Sequence, residues 1–302
     1  FDTLKMEQEG EDRVLVSGCR GSSAPKTHKV CVNLEGGFRN GTEILLTGMD
    51  IEEKAKLVTD LIFENVGGKD QFDHVDIQLI RTDHENPVSN EGAQASLRIS
   101  VMSQNPDLVG RLFSAKIVEL GLATIPGYTG RSGMPAGPYI QYWPALIDSK
   151  FITEMVHIDG KSIEVTPTSQ LDYEEIYYQK EPYQNEMPDV DKLITTKFGN
   201  LYGTRSGDKG GGANLGVWAK NQETYAYLFE FLTVEKLKEL LPDLRNFEID
   251  RYDLPNIFSL NFYVHDILQE GVSSSTRLDG QAKSLGEYLR AKDVEVPDFL
   301  IN

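Results

Sequence analysis

From Ala95 to Val101 the chain alternates without a break. Ala95, Leu97, Ile99 and Val101 are apolar, and Ser96, Arg98 and Ser100 between them are polar. Successive side chains of an extended chain point to opposite faces, so this period-two run specifies a strand with one face in a core. Such a sheet needs something apolar laid against its buried face, and the flanking sequence supplies helices. One is predicted from Ile51 to Val66, with Asp50 as N-cap, Glu53 three residues on, Leu57, Val58, Leu61 and Ile62 along one face, and Gly67 and Gly68 ending it. A second is predicted from Asn105 and Pro106 to Leu120. Ahead of them, "THKVCVNL", the turn-rich "EGGFRNG" and "TEILLTG" read as a hairpin, and "HVDIQLI" reads as a strand. The order is β-β-α-β-β-α.

The same order returns past Lys192. "KFGNLYGTR" and "ANLGVWAK" read as strands joined by a glycine-rich loop. "QETYAYLFEFLTVEKLKELL" reads as a helix in two pieces, the second capped by Thr233. "FEIDRYDL" and "IFSLNFYVHDIL" read as strands, Phe258, Leu260, Phe262 and Val264 alternating, and Asp279 is placed as cap of a last helix through Arg290. Helices segregated from antiparallel hairpins define an α+β fold, one sandwich-like domain in each half. Between the halves, "YIQYWPALI", "EMVHI" and "SIEVTP" are strand-like, and the acidic, Tyr- and Pro-rich segment over 167–191 is a linker or a strap. The expected domains are 1–166 and 192–302.

The chain has a formal charge of −17 over 302 residues, which argues against nucleic acid or an anionic membrane surface as partner. No apolar run is long enough for a membrane span. Cys19 and Cys31 are the only cysteines, which points to free thiols in a reducing compartment rather than a disulfide scaffold. The cytoplasm is the expected location, with an organellar matrix left open. The first residue is Phe1 and no signal-peptide features follow it, so a longer polypeptide or a removed leader is expected.

The stretch "TRSGDKGGGANLG", Thr204 to Gly216, carries five glycines with Arg205, Asp208 and Lys209. It lacks the spacing of a dinucleotide fingerprint or a P-loop. Its residue types suit an anion: glycine backbones converge their N–H groups, and Arg205 and Lys209 supply charged donors. Asp208 is then an acid/base candidate or orients a cation; the competing reading is a tight hairpin that binds nothing. A second cluster, "EGVSSSTRLDGQAKSLG", brings Ser273, Ser274, Ser275 and Arg277 ahead of a helix, as anion ligands or as simple caps. The two clusters are expected to form one positive pocket in which Asp208 pairs with Arg205, Lys209 or Arg277. His265 is either a general base or a structural histidine. No H-x-x-x-H pairing occurs, so no metal site is expected. "IPGYTGRSGMPAGPYIQYWPAL", with Arg131, Tyr139, Tyr142 and Trp143, reads either as a functional loop or as aromatic residues plugging a core.

Three stretches together resemble the acyclic terpene utilisation (AtuA-like) family: "TRSGDKGGGANLGVWA", "EGVSSSTRLDGQAKSLGEYLRAK" and "DRVLVSGCRGSSAPKTHKVCVNLEGGFR". The first two are similar to its C-terminal ferredoxin-fold domain, and the third, with "IPGYTG" and "YWPAL", to the later half of its core domain. Arg205, Ser206, Gly207, Asp208, Lys209 and Asn214 match the family's loop; Gly211 departs from it. The long N-terminal α/β portion of the family is missing, so the resemblance implies a second polypeptide supplying it, or self-association. It also implies breakdown of branched isoprenoid acids. The expected activity is a lyase or hydratase, or a subunit of one, acting on a branched acyl-CoA or hydroxy acid, with no cofactor beyond a CoA thioester as substrate. Asp208 and His265 are the catalytic candidates, and Arg205, Ser206, Gly207, Lys209, Asn214, Ser274, Ser275 and Arg277 the anion ligands. The alternative is a non-catalytic binding or assembly module.

Overall fold

The computed structural model describes residues 3–21, 24–166, 183 and 192–301. It divides into two compact units, residues 33–141 and residues 1–32 with 142–302. The architecture is α+β, as the patterning implies. Among the described residues, no helix is long and apolar enough to cross a membrane.

Strands β1 (Lys5–Gly10) and β2 (Arg13–Ser17) form an exposed hairpin. The unit at 33–141 is then built from β3 (Thr27–Thr47), α1 (Ile51–Asn65), β4 (His74–Ile80), β5 (Gln94–Ser103), α2 (Phe113–Leu120) and β6 (Tyr128–Asp148). Its sheet order is β4-β5-β3-β6, so the chain runs β-α-β-β-α-β with the first and third strands central, the split β-α-β arrangement. The alternation that opened the argument is realised: Ala95, Leu97, Ile99 and Val101 are buried against Val58, Ile62 and Phe63 of α1 and Phe113 of α2. Gly67 and Gly68 stop α1 with positive φ, and Gly68 N donates back to Phe63 O at 2.8 Å.

Four expectations for this half are corrected. The hairpin over 28–48 is one continuous strand, β3. Its glycines serve close approach instead of a turn: a Cβ on Gly36 would lie 2.2 Å from the Tyr139 ring. Asp50 caps nothing with its side chain, because it takes a left-handed backbone (φ 57°) at the position it occupies. Leu57 points outward, and Ala55 and Phe63 take the inner face. The Gly- and Pro-rich stretch expected as a loop is the first part of strand β6, at the sheet edge, where prolines that cannot donate to a ladder are tolerated, and the strand-like "YIQYWPALI" continues it. Of its named residues, Tyr139 is buried and Trp143 exposed, while the Arg131 side chain lies outside what is described. Ahead of α2 the chain makes a wide helical turn, Leu108–Leu112, broken at Gly110 (φ −79°, ψ −121°).

Next come the hairpin β7 (Glu154–Ile158) and β8 (Lys161–Val165). The segment read as a linker or strap lies outside the described residues except for Tyr183, whose ring meets Tyr225 and Phe229 at 5.1 Å.

Beyond it stand β9 (Leu193–Lys197), a short helix α3 (Phe198–Leu201), β10 (Gly203–Lys209), β11 (Gly212–Trp218), α4 (Gln222–Phe231), α5 (Val234–Leu240), β12 (Ile249–Leu254), β13 (Ser259–Val264), α6 (Leu285–Arg290) and β14 (Asp293–Pro297). The "FGNL" part of the expected strand is α3. Thr233 caps α5 by accepting from Lys236 N at 3.1 Å, as expected. The four-stranded sheet has the order β10-β11-β13-β12. Strands β9 and β14 form a separate antiparallel pair. Ala213, Leu215 and Val217 of β11 and Leu260, Phe262 and Val264 of β13 are buried with Leu228, Leu237 and Leu289 from the helices. Among the described residues, the opposite face of this sheet is the more open one, with Arg205, Lys209, Trp218 and Tyr252 exposed on it.

Candidate functional site

The glycine-rich stretch is almost all strand. β10 runs through Lys209 and β11 begins at Gly212, leaving only Gly210 and Gly211 as the turn; Lys209 pairs with Gly212. Gly210 has φ +64°, which glycine adopts at little cost. The expected loop is a tight hairpin, because its residues extend far enough to complete the ladder.

Strand pairing sorts the candidate residues onto two faces. Ser206 and Asp208 pair with Leu215 and Ala213, which are buried toward the helices. Arg205, Gly207 and Lys209 pair with Gly216, Asn214 and Gly212, on the open face. Across β11 and β13, Asn214 lies beside Tyr263, and Tyr263 beside Asp250.

On the helix face, Ser206 Oγ accepts from Gly286 N at 3.0 Å, satisfying a free donor in the first turn of α6 from a different element. Asp208 pairs with Lys283 at 3.6 Å. Its partner is therefore Lys283, not Arg205, Lys209 or Arg277. The same ammonium lies 2.9 Å from where a Cβ on Gly207 would stand, so Lys283 reaches round the β10 edge toward the open face. Arg277 instead meets Asp243 at 2.9 Å.

The serine cluster does not stand directly before α6. Ser274 and Ser275 are buried. Ser274 Oγ donates to Gly271 O at 3.0 Å and Ser275 Oγ accepts from Arg277 N at 3.3 Å, so both close a turn. Asp279, placed as the helix cap, accepts from Lys283 N and Ser284 N, each at 2.8 Å, and holds the approach to α6 from upstream. Partial burial pushes its carboxyl up, but the bonds from Ser284 and Lys283 and the nearby Arg277 charge outweigh this and hold it below its usual value. The two clusters do meet, through Gly286 and Lys283.

The open face carries a different set. Arg205 and Lys209 are exposed, and among the described residues neither is in an ion pair; Lys209 Nζ donates to the Asp208 carbonyl at 2.9 Å. His265 Nε2 donates to Asp250 Oδ2 at 2.8 Å. That bond, ahead of the surrounding acidic charge, raises the His265 pKa. The Tyr263 ring stands edge-on to His265 at 4.6 Å, and its hydroxyl reaches Lys209 O at 3.5 Å. Tyr263 thus spans from the histidine to the hairpin end. Asp208 and His265, expected to act together, stand on opposite faces. Lys283, Asp250, Tyr263 and Glu248 were missed. Lys283 lay within the second quoted cluster, while the other three are brought in only by the register of β12 against β13.

Residues 1–158 match the acyclic terpene utilisation family protein AtuA, and residues 196–295 match the AtuA ferredoxin-like domain. No curated protein and no solved structure matches the chain. The second match covers the sheet and helices just described, and the first takes in more than half of the chain. The chain therefore belongs to the acyclic terpene utilisation (AtuA) family, and its role lies in terpene catabolism.

Proposed function

We propose that the open face of the β10-β11-β13-β12 sheet takes an anionic branched acid or acyl-CoA, and that the chain is a lyase- or hydratase-type enzyme, or a subunit of one. The observation that carries this reading is the pair of exposed cations, Arg205 and Lys209, on one face of a strand in a chain of charge −17. They bind the carboxylate or phosphate, and Asn214 offers a neutral donor between them. The Asp250 bond raises the His265 pKa and orients its ring, and His265 is the acid/base candidate on this face. Asp208, on the other face and paired with Lys283, is a positioning residue for the hairpin.

The test is calorimetry of the full chain with a branched acyl-CoA and with short dicarboxylates. Wild type is expected to bind, and Arg205→Ala to bind roughly tenfold or more weakly, as the loss of a charged hydrogen bond implies. Equal binding by both proteins overturns the site.

A second reading, an assembly module, rests on the two exposed hairpins. Met6, Val14 and Val16 of the first and Val156, Ile158 and Ile163 of the second are largely exposed. A two-stranded hairpin is marginal in water without a surface to pack on. No binding of any acid, together with an oligomer by light scattering, selects this reading.

A further inference from the structure

The end of the open face at Glu248, Asp250 and His265 holds more than an acid–base pair. Glu248 stands just before β12, Asp250 two residues on, and His265 just after β13. The ladder pairs Ile249 with Val264 and Asp250 with Tyr263, so Glu248 and His265 extend it by one step. His265 N donates to Glu248 O at 3.0 Å, fixing that step. All three side chains therefore leave the sheet on one side. One ligand atom from each, two carboxylate oxygens and one imidazole nitrogen, lies within 4.8 Å of the others.

We infer that Glu248, Asp250 and His265 form a binding site for one divalent first-row cation, such as Mn2+ or Zn2+. Ions of this class hold oxygen and nitrogen ligands at about 2.1 Å, so ligand atoms on adjacent positions sit about 3 Å apart and those on opposite positions about 4.2 Å. The 2.8 Å between His265 Nε2 and Asp250 Oδ2 is an adjacent pair already at distance, needing only the shared proton to be exchanged for the ion. Two carboxylates balance the 2+ charge, and one imidazole with two oxygens suits borderline metals over Mg2+ or Ca2+. Asp250 is in β12, and Glu248 and His265 flank the β12–β13 ladder at its end, held by the His265 N to Glu248 O bond. This inference rests on the open face being the substrate face only for its chemistry: a bound cation would polarise a substrate oxygen.

The test needs no substrate. The metal-free full chain is titrated with Zn2+ by calorimetry, and with Co2+ by its visible absorption, alongside Glu248→Gln, His265→Gln and Arg205→Ala; far-UV circular dichroism verifies that each is folded. The expected result is one saturable ion per chain, roughly tenfold or more weaker in both the Glu248 and the His265 variants, and unchanged in Arg205→Ala. No saturable binding, or binding that either ligand variant leaves intact, overturns the site. Because Arg205→Ala tests acid binding and leaves the three ligands in place, failure of the cation site and failure of the substrate face are read separately.

Discussion

Two glycines of one hairpin, Gly211 and Gly216, make a matched pair whose alanine variants are expected to differ in sign. A Cβ on Gly211 would lie 2.1 Å from the carbonyl oxygen of Gln269, where real Cβ atoms essentially never come closer than 3.0 Å. The obstacle is backbone, so the two segments must part by roughly 1 Å, well beyond the small distortions a packed backbone absorbs. The same segments are joined by Leu268 N donating to Gly211 O at 2.8 Å. Parting them stretches that bond past useful length and leaves a donor stranded on a residue that is fully buried. The stranded donor costs about 1–3 kcal/mol and the residual strain about 1 kcal/mol, so Gly211→Ala should destabilise by about 2–4 kcal/mol. At Gly216 a Cβ meets nothing closer than Arg205 O at 3.6 Å, an ordinary contact. Gly216→Ala should stabilise by about 0.5–1 kcal/mol, since glycine inside a strand is entropically costly. Urea unfolding at 25 °C, followed by far-UV circular dichroism, measures both. If the two variants fall within about 1 kcal/mol of each other, the close-approach account of this hairpin is wrong.

Asp208→Asn removes the pair with Lys283, both side chains being substantially exposed, and should cost less than about 1 kcal/mol in urea unfolding; a larger loss would make the pair a main support of the hairpin. Asp279→Ala removes acceptors from Lys283 N and Ser284 N and should destabilise by about 1–3 kcal/mol, with faster amide exchange over 280–286. Because the folded Asp279 carboxyl is held below its unfolded value of 3.8, its contribution is complete above that value and is lost as pH falls through the lower folded one. Wild type and Asp279→Ala should therefore converge in stability in strong acid, and a constant gap down to that range would refute the assignment. Arg251 donates to the Leu232 and Phe229 carbonyls at the end of α4 at 3.2 and 2.8 Å. Arg251→Met should cost about 2–3 kcal/mol by thermal unfolding, through carbonyls left without a donor.

What was legible in the sequence follows from what local pattern encodes. Alternation at 95–101 and 260–264, the paired glycines after α1 and the Thr233 cap are set by neighbours in the chain, and each is found. The hairpin expected within Thr27–Thr47 failed because glycine has two uses, turning and yielding space, and only Tyr139, a hundred residues on, decides between them. The Gly- and Pro-rich β6 was misread for a related reason: an edge position excuses prolines, and edge position is a property of the sheet. At the candidate site, Arg205, Lys209, Asn214 and His265 share a face, whereas Asp208 and Ser206 do not. The alternation that separates them was printed in the sequence, but it became visible only once the glycine-rich stretch was recognised as two strands. Glu248 and Asp250 join His265 through pairing between strands, and no spacing along the chain records that.

The two four-stranded sheets also have a consequence for how such domains are related. Numbered along the chain, the first has its strands in the order 2-3-1-4 and the second in the order 1-2-4-3. Moving the first strand of the second domain to its end turns one order into the other, so the two differ by a circular permutation. The geometry needed for that rearrangement is present. The ends of the C-terminal domain lie side by side, with Leu193 paired to Pro297 and Asp298 N donating to Lys192 O at 3.1 Å. Joining them with a short linker and opening the chain at Gly210–Gly211 would leave every strand in place and give the β-α-β-β-α-β connectivity of the first unit. The two halves of the chain thus present one strand order joined by two different chain connections.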